Sequence, residues 1–170
     1  QKKITSPYYS EDDIRFRLIR DEYLEKKDYE SIMLKMINDY EFNYKDYYSK
    51  IFFSAKNLIR LDKLGHSIGL HSHNHSTLMT KLSFSEQKKE YTQCIDIISK
   101  ILNKPKKYLN CMSYPNGNYN NDTLEILKNL NISIGFRANM NLDGNMTKIN
   151  NSSLELAREN HSNIMSYMSE

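Results

Sequence analysis

The sequence predicts an α/β fold with a largely parallel sheet, and three observations carry that expectation. From residue 54 onward the apolar pattern alternates helix, strand, helix, strand, helix, strand, an order that calls for crossover helices between parallel strands. The strand-like runs are short, apolar and bounded by turn formers, as in Ser67-Ile68-Gly69-Leu70 and Ile132 to Phe136, which suits strands buried on both faces. Four of the five histidines fall between Leu64 and Ser76, at the end of the first such strand, where α/β folds keep their chemistry.

The elements before that strand read as helices. Residues 1–9 are an irregular lead-in with Pro7. Ser10-Glu11-Asp12-Asp13 has an N-cap serine, an acid three positions on and negative charge in the first turn. Ile14, Leu18 and Ile19 give the apolar stripe of a helix expected to run to about Lys27. A second helix carries Ile32, Leu34, Met36 and Ile37, with Asp28 or Ser31 near its start. The aromatic stretch from Tyr40 to Phe53 predicts a short helix with turns, its rings packing among small helices rather than lining a sugar cleft. Leu58, Ile59, Leu61 and Leu64 mark another helix, stopped by Gly65 as its C-terminal cap.

Beyond the histidines, Ser83-Phe84-Ser85-Glu86 is a capping box opening the longest helix. Tyr91, Cys94, Ile95, Ile98, Ile101 and Leu102 recur along it at helical spacing, and Pro105 closes it. Tyr108 to Ser113 reads as a strand running into the turn Tyr114-Pro115-Asn116-Gly117-Asn118-Tyr119. Asn121 or Asp122 is the expected cap of a helix bearing Leu124, Leu127 and Leu130. After Ile132 to Phe136, a polar loop leads to a short strand from Leu154 to Ala157 and a closing helix from about His161.

The bulk numbers exclude several classes. The chain has 170 residues, enough for one domain with a sizeable core. Its net charge of +3 is mild and its lysines are dispersed, so no nucleic-acid groove is expected. Two cysteines, Cys94 and Cys111, cannot make a disulfide framework and read as reduced, buried apolar residues. No apolar run approaches the ~18 residues of a membrane span. Gln1-Lys2-Lys3 has no signal-peptide core behind it, so a cytoplasmic location is expected, although without an initiator methionine the chain reads as cut from something longer.

His71 and His75 are four apart, which lets two imidazoles meet one ion if the chain turns between them. Neutral imidazole suits zinc first, with cobalt or nickel as alternatives.

The segment Gly65-His66-Ser67-Ile68-Gly69-Leu70-His71-Ser72-His73-Asn74-His75 resembles the metal-binding motif of NodB-type polysaccharide deacetylases. There a Gly-His-x-Ile-Gly lead-in precedes His-Ser/Thr-x-x-His, whose outer histidines bind the metal. Ser113-Tyr114-Pro115-Asn116-Gly117-Asn118-Tyr119 resembles the family's groove-lining proline turn, and the stretch from Leu154 to His161 its later strands. The similarity covers about residues 58–165. It implies an incomplete (β/α) barrel over residues 65–170, with residues 1–64 as a helical insertion and lead-in.

It also implies an N-deacetylase for N-acetylated sugars of a bacterial surface glycan, with His71 and His75 as metal ligands. Tyr114, Asn116 and Gly117 would then shape the groove and oxyanion site. Arg158 would contact substrate and His161 would be the acid, while His66 and His73 would have supporting roles.

Two departures stand out. The family's Thr-Phe-Asp-Asp-Gly strand, source of the general base and the third ligand, has no counterpart; Asp12-Asp13 is the sole Asp-Asp pair and reads as a helix cap, with Asp12 or Asp13 as the catalytic carboxylate only if the N-terminal segment folds back onto the histidines. Ser113 stands where many members carry arginine. The expectation is therefore a weakly active or inactive enzyme, or a non-catalytic metal- or glycan-binding module that keeps the fold. Open sheet edges would favour a homodimer or a covering by the first helices.

Overall fold

The computed structural model describes residues 9–138, 152–158 and 168. Two compact units divide the chain, residues 1–52 and 53–170. The dividing point precedes the helix before the histidines, which thus falls in the second unit rather than with residues 1–52.

In the first unit, α1 (Glu11–Leu18) opens with the expected capping box. The Ser10 side chain accepts from the Asp13 amide, and the Asp13 carboxylate accepts from the Ser10 amide and hydroxyl. The helix stops sooner than its apolar stripe suggested. It widens into a π-turn over Ile19–Tyr23, and the chain then extends at Leu24 and Glu25. Helix α2 (Lys26–Asp39) accordingly starts at Lys26 with no side-chain cap, not at Asp28 or Ser31. Helix α3 (Lys45–Ile51) holds the aromatic stretch. Phe42 stacks on Tyr47 and Tyr48 tilts against Phe52, yet all four rings stay exposed.

The second unit begins with α4 (Ala55–Lys63). Gly65 ends it as expected: with φ +86° it lets its own amide reach Asp62 O and the His66 amide reach Leu61 O. That pair of bonds satisfies the orphan carbonyls of the last turn. Leu58 and Ile59 of α4 pack on the core. The long helix α5 (Phe84–Leu102) starts at the predicted capping box and buries Tyr91, Cys94, Ile95 and Leu102. Asn103, in the left-handed region, ends it before Pro105. Helix α6 (Asn121–Asn129) is capped by Asn120, one residue ahead of the expected Asn121 or Asp122.

Two strands, β1 (Cys111–Ser113) and β2 (Ile134–Phe136), pair in parallel. Single parallel bridges continue the ladder on both sides, Leu70 to Met112 and Phe136 to Leu156. The order across the ladder is thus the order along the chain, with α5 and α6 as the first two crossovers. The outer runs are shorter than expected. Of Ser67-Ile68-Gly69-Leu70 only Leu70 joins the ladder, through Leu70 N to Cys111 O and Ser113 N to Leu70 O. Likewise Tyr108 lies in a 3-10 turn (Lys106–Tyr108), and the strand waits until Cys111.

Met112 on β1 sits in the middle of the core with Leu70, Ile95, Leu127 and Leu154. Gly135 on β2 is closely approached: a Cβ there would lie 2.3 Å from Leu154 O and 2.7 Å from the Tyr114 hydroxyl. Both cysteines are free. No helix among the described residues is long and apolar enough to cross a membrane.

Candidate functional site

The ladder delivers His71 to its carboxyl end, one residue past the paired Leu70. Burial pushes up the pKa of the Cys94 thiol on α5, with the His71 backbone acting the other way. The imidazole reaches across to β1, with Nδ1 2.6 Å from the Ser113 carbonyl oxygen. A carbonyl can only accept, so Nδ1 carries the hydrogen and the free lone pair of a neutral ring is on Nε2. Pinning one ring nitrogen to a carbonyl is how metal-binding histidines are usually oriented.

The chain turns at once. Ser72 and His75 both adopt left-handed conformations, with φ 64° and 52°, and the His75 amide donates to the Ser72 hydroxyl at 3.0 Å. This turn, not a helix, brings the four-apart histidines together. Their ring centroids lie 4.9 Å apart, edge on at 64°.

A residue that sequence reasoning missed holds the turn. Glu90, on the buried face of α5, accepts from the His73 amide at 3.1 Å and the Asn74 amide at 2.7 Å through one oxygen. Its other oxygen accepts from the Asn74 side chain at 2.6 Å. The available signal was a carboxylate inside an otherwise buried stripe, between Gln87 and Tyr91. His73 turns its own side chain to solvent, and His66 serves α4 through its backbone.

The second wall is the turn after β1. Pro115–Gly117 forms a 3-10 turn in which Asn116 (φ 51°) and Gly117 (φ 68°) are both left-handed. A Cβ on Gly117 would come within 2.7 Å of the Ala138 Cβ. The Tyr114 amide donates to Phe136 O, the Gly117 amide to Tyr114 O and the Asn118 amide to Pro115 O. Pro115 has no N–H, which leaves Asn116 as the amide in Tyr114 to Gly117 without an acceptor among the described residues.

The side chain of Tyr114 is buried, its hydroxyl spent on Leu154 O at 2.6 Å and its ring stacked on Tyr119. Tyr119 in turn donates to buried Glu155 at 2.9 Å. Arg158 reaches Ser113 Oγ at 3.0 Å, so Ser113 ties His71 through its carbonyl and Arg158 through its hydroxyl. A guanidinium therefore lies beside the position where the expected arginine is replaced by serine.

The chemistry of the donor set fits a divalent ion in part. His71 and His75 could supply two nitrogen ligands, where a catalytic zinc takes three protein ligands. Among the described residues no group of three or more His, Cys, Asp or Glu could hold a metal. Asp13 is committed to its capping box, and its bonds to Ser10 hold its carboxyl below the usual range. Asp12 faces Arg15 at 3.8 Å on the exposed side of the same helix. His161, expected as the acid, lies outside the described residues.

The family model for polysaccharide deacetylases matches residues 31–135, from within α2 through the histidine turn and the proline turn into β2. This chain belongs to the polysaccharide deacetylase family. The match spans both walls of the candidate site and starts upstream of the motif resemblance, which begins near residue 58. Among solved structures, a Streptococcus pyogenes deacetylase, PplD, in complex with acetate is similar in fold. The two share 21% identity at a TM-score of 0.55, over 88% of this chain and 71% of that one. No curated protein matches the chain.

Proposed function

We propose that this chain is a metal-dependent N-deacetylase domain for N-acetylated sugars of a bacterial surface glycan, built on part of a (β/α) barrel. Family membership supports the reaction class and the substrate class. One observation carries the metal: two imidazoles lie edge on with centroids 4.9 Å apart, and the first is oriented through Nδ1 by the Ser113 carbonyl. A zinc-class ion bound there would polarise the acetyl carbonyl and lower the pKa of a water.

The chain's own residues have separable tasks. His71 and His75 hold the ion. The Asn116 amide, without an acceptor among the described residues, is the turn's donor for the developing oxyanion, a role in which a single preset N–H is worth about 10²–10³ in rate. Arg158, fixed on Ser113, contacts the substrate. His161 is the proposed acid.

No described carboxylate joins the histidine pair as base or third ligand, and general-base help is typically worth ~10²–10⁴-fold. Slow turnover is therefore part of the proposal. The same observation favours a second reading, a metal- or glycan-binding module without catalysis.

Acetate release from chito-oligomers, measured with zinc and with excess chelator, decides between them. Slow release that needs metal and disappears in His71→Ala supports the enzyme. Zinc binding with no release on any N-acetylated sugar supports the module. Release that persists in chelator contradicts both.

A further inference from the structure

We infer that Glu90 is the positioning residue of the histidine pair: from α5 it clamps the turn between His71 and His75 and so sets the geometry of the metal ligands. The inference rests on the metal reading above and assigns a residue that the histidine motif does not contain.

The argument begins with the shape of the turn. Left-handed backbone at non-glycine residues is uncommon and persists only where surrounding structure over-determines it. Within four residues the turn has two such positions, Ser72 and His75. The Ser72 hydroxyl bonded to the His75 amide is a local tie inside the turn. The tie to the rest of the fold at His73 and Asn74 is Glu90, with bonds of 3.1, 2.7 and 2.6 Å shared between its two oxygens.

Charge-assisted bonds of this kind are the strong ones. They also explain why a carboxylate 9% exposed is tolerated on the buried face of α5: the N–H groups it accepts replace the water it has lost. At its other end the pair is fixed by His71 Nδ1 on Ser113. The first ligand is thus referenced to β1 and the second, through the clamped turn, to α5.

The test uses the full 170-residue chain. Zinc affinity is measured by chelator competition, and amide hydrogen exchange is followed at Asn74 in metal-free protein. Outer partners of metal ligands are typically worth 10–100-fold in affinity. Glu90→Ala should therefore weaken zinc binding by at least about tenfold and deprotect the Asn74 amide. Glu90→Gln, which keeps one accepting oxygen, should recover part of both. Asn74→Ala, an exposed site that leaves the two backbone bonds in place, should give a smaller loss and covers the case in which Glu90→Ala does not fold.

A merely structural Glu90 would lower the melting temperature while the folded protein kept parental zinc affinity, and that result overturns the inference. Parental protection of Asn74 in folded Glu90→Gln and Glu90→Ala overturns it too. If the parent chain itself binds no zinc, the metal reading fails separately, and the exchange data alone decide whether the clamp exists.

Discussion

In residues 9–52 and in the unit from residue 53 onward the regular structure described is chiefly helix, but the two are held in different ways. In the first region no described residue is buried; Leu34 is 58% exposed and Tyr40 80%. Its order comes chiefly from near neighbours in sequence: the Ser10–Asp13 box, the Asn43–Asp46 bond, the Arg20–Asp21 ion pair and ring pairs such as Tyr48 with Phe52, with Phe16 on Tyr29 as a tie between α1 and α2. In the second region the buried apolar side chains among the described residues lie between Leu70 and Leu154 and come from several separate segments of chain. Helix formation needs only local bonds, whereas a site needs side chains from distant segments held in register. The histidine pair, the clamp and the proline turn all lie in the second region.

The sharpest way to break that contrast is a pair of truncations. Met112→Ala, at 1% exposure in the centre of the ladder, should cost about 2–5 kcal/mol in denaturant unfolding. Leu34→Ala in the first region should stay within about 0.5 kcal/mol. Comparable costs would show that the first region buries its stripe against something. A smaller effect, about 1–3 kcal/mol, is expected for Gly135→Ala, where the new methyl must displace both Leu154 O and the Tyr114 hydroxyl.

Tyr91→Phe should run the other way. The Tyr91 hydroxyl is buried with no partner among the described residues, so its removal should be neutral or stabilising by up to about 1 kcal/mol. Marked destabilisation would reveal a partner for it.

Capping sharpens the comparison further. Ser83→Ala should cost ~1 kcal/mol in thermal or denaturant unfolding, because α5 carries much of the core. Ser10→Ala, capping a helix with nothing buried, should melt α1 locally, read by amide exchange, with little effect on the global transition.

The Ser83 cap also predicts a pH dependence. Bonds from the Ser83 hydroxyl and amide hold the Glu86 carboxyl below its ordinary value. A depressed folded pKa means that this contribution is present above the ordinary carboxylate range and is lost as pH falls through the folded value. In Ser83→Ala that part of the acid sensitivity should shrink. Smallest of all, Ser113→Ala should leave zinc affinity near the parental value, since His71 bonds the main chain of residue 113 and not its hydroxyl.

What was legible in the sequence follows the same division. Capping boxes at Ser10 and Ser83 and the glycine stop at Gly65 are local chemistry, and all three appear where the residues place them. The histidine turn was legible because its spacing and the strand ahead of it are local too.

What failed was non-local. The outer strands shrank to single bridges at Leu70 and Leu156, because ladder length depends on what the neighbouring segment offers. Helix α1 gave way at a π-turn that no residue signalled. Tyr114, expected to line the groove, gives its side chain to the core, and from Tyr114 to Gly117 it is the Asn116 amide that has no acceptor among the described residues. Glu90 stayed hidden because a carboxylate on a helix is ordinarily solvated; only the docking of the turn on α5 reveals its task.

The central claim is that His71 and His75, and not the histidines beside them, form a metal site. Zinc affinity of the full chain and of the single variants His66→Ala, His71→Ala, His73→Ala and His75→Ala, measured by chelator competition, tests it most directly. The account predicts binding of about one ion per chain, severe loss for His71→Ala and His75→Ala, and near-parental binding for His66→Ala and His73→Ala, since the close imidazole pair is His71 with His75. Greatest loss in His73→Ala, or no binding by the parent chain, would contradict it.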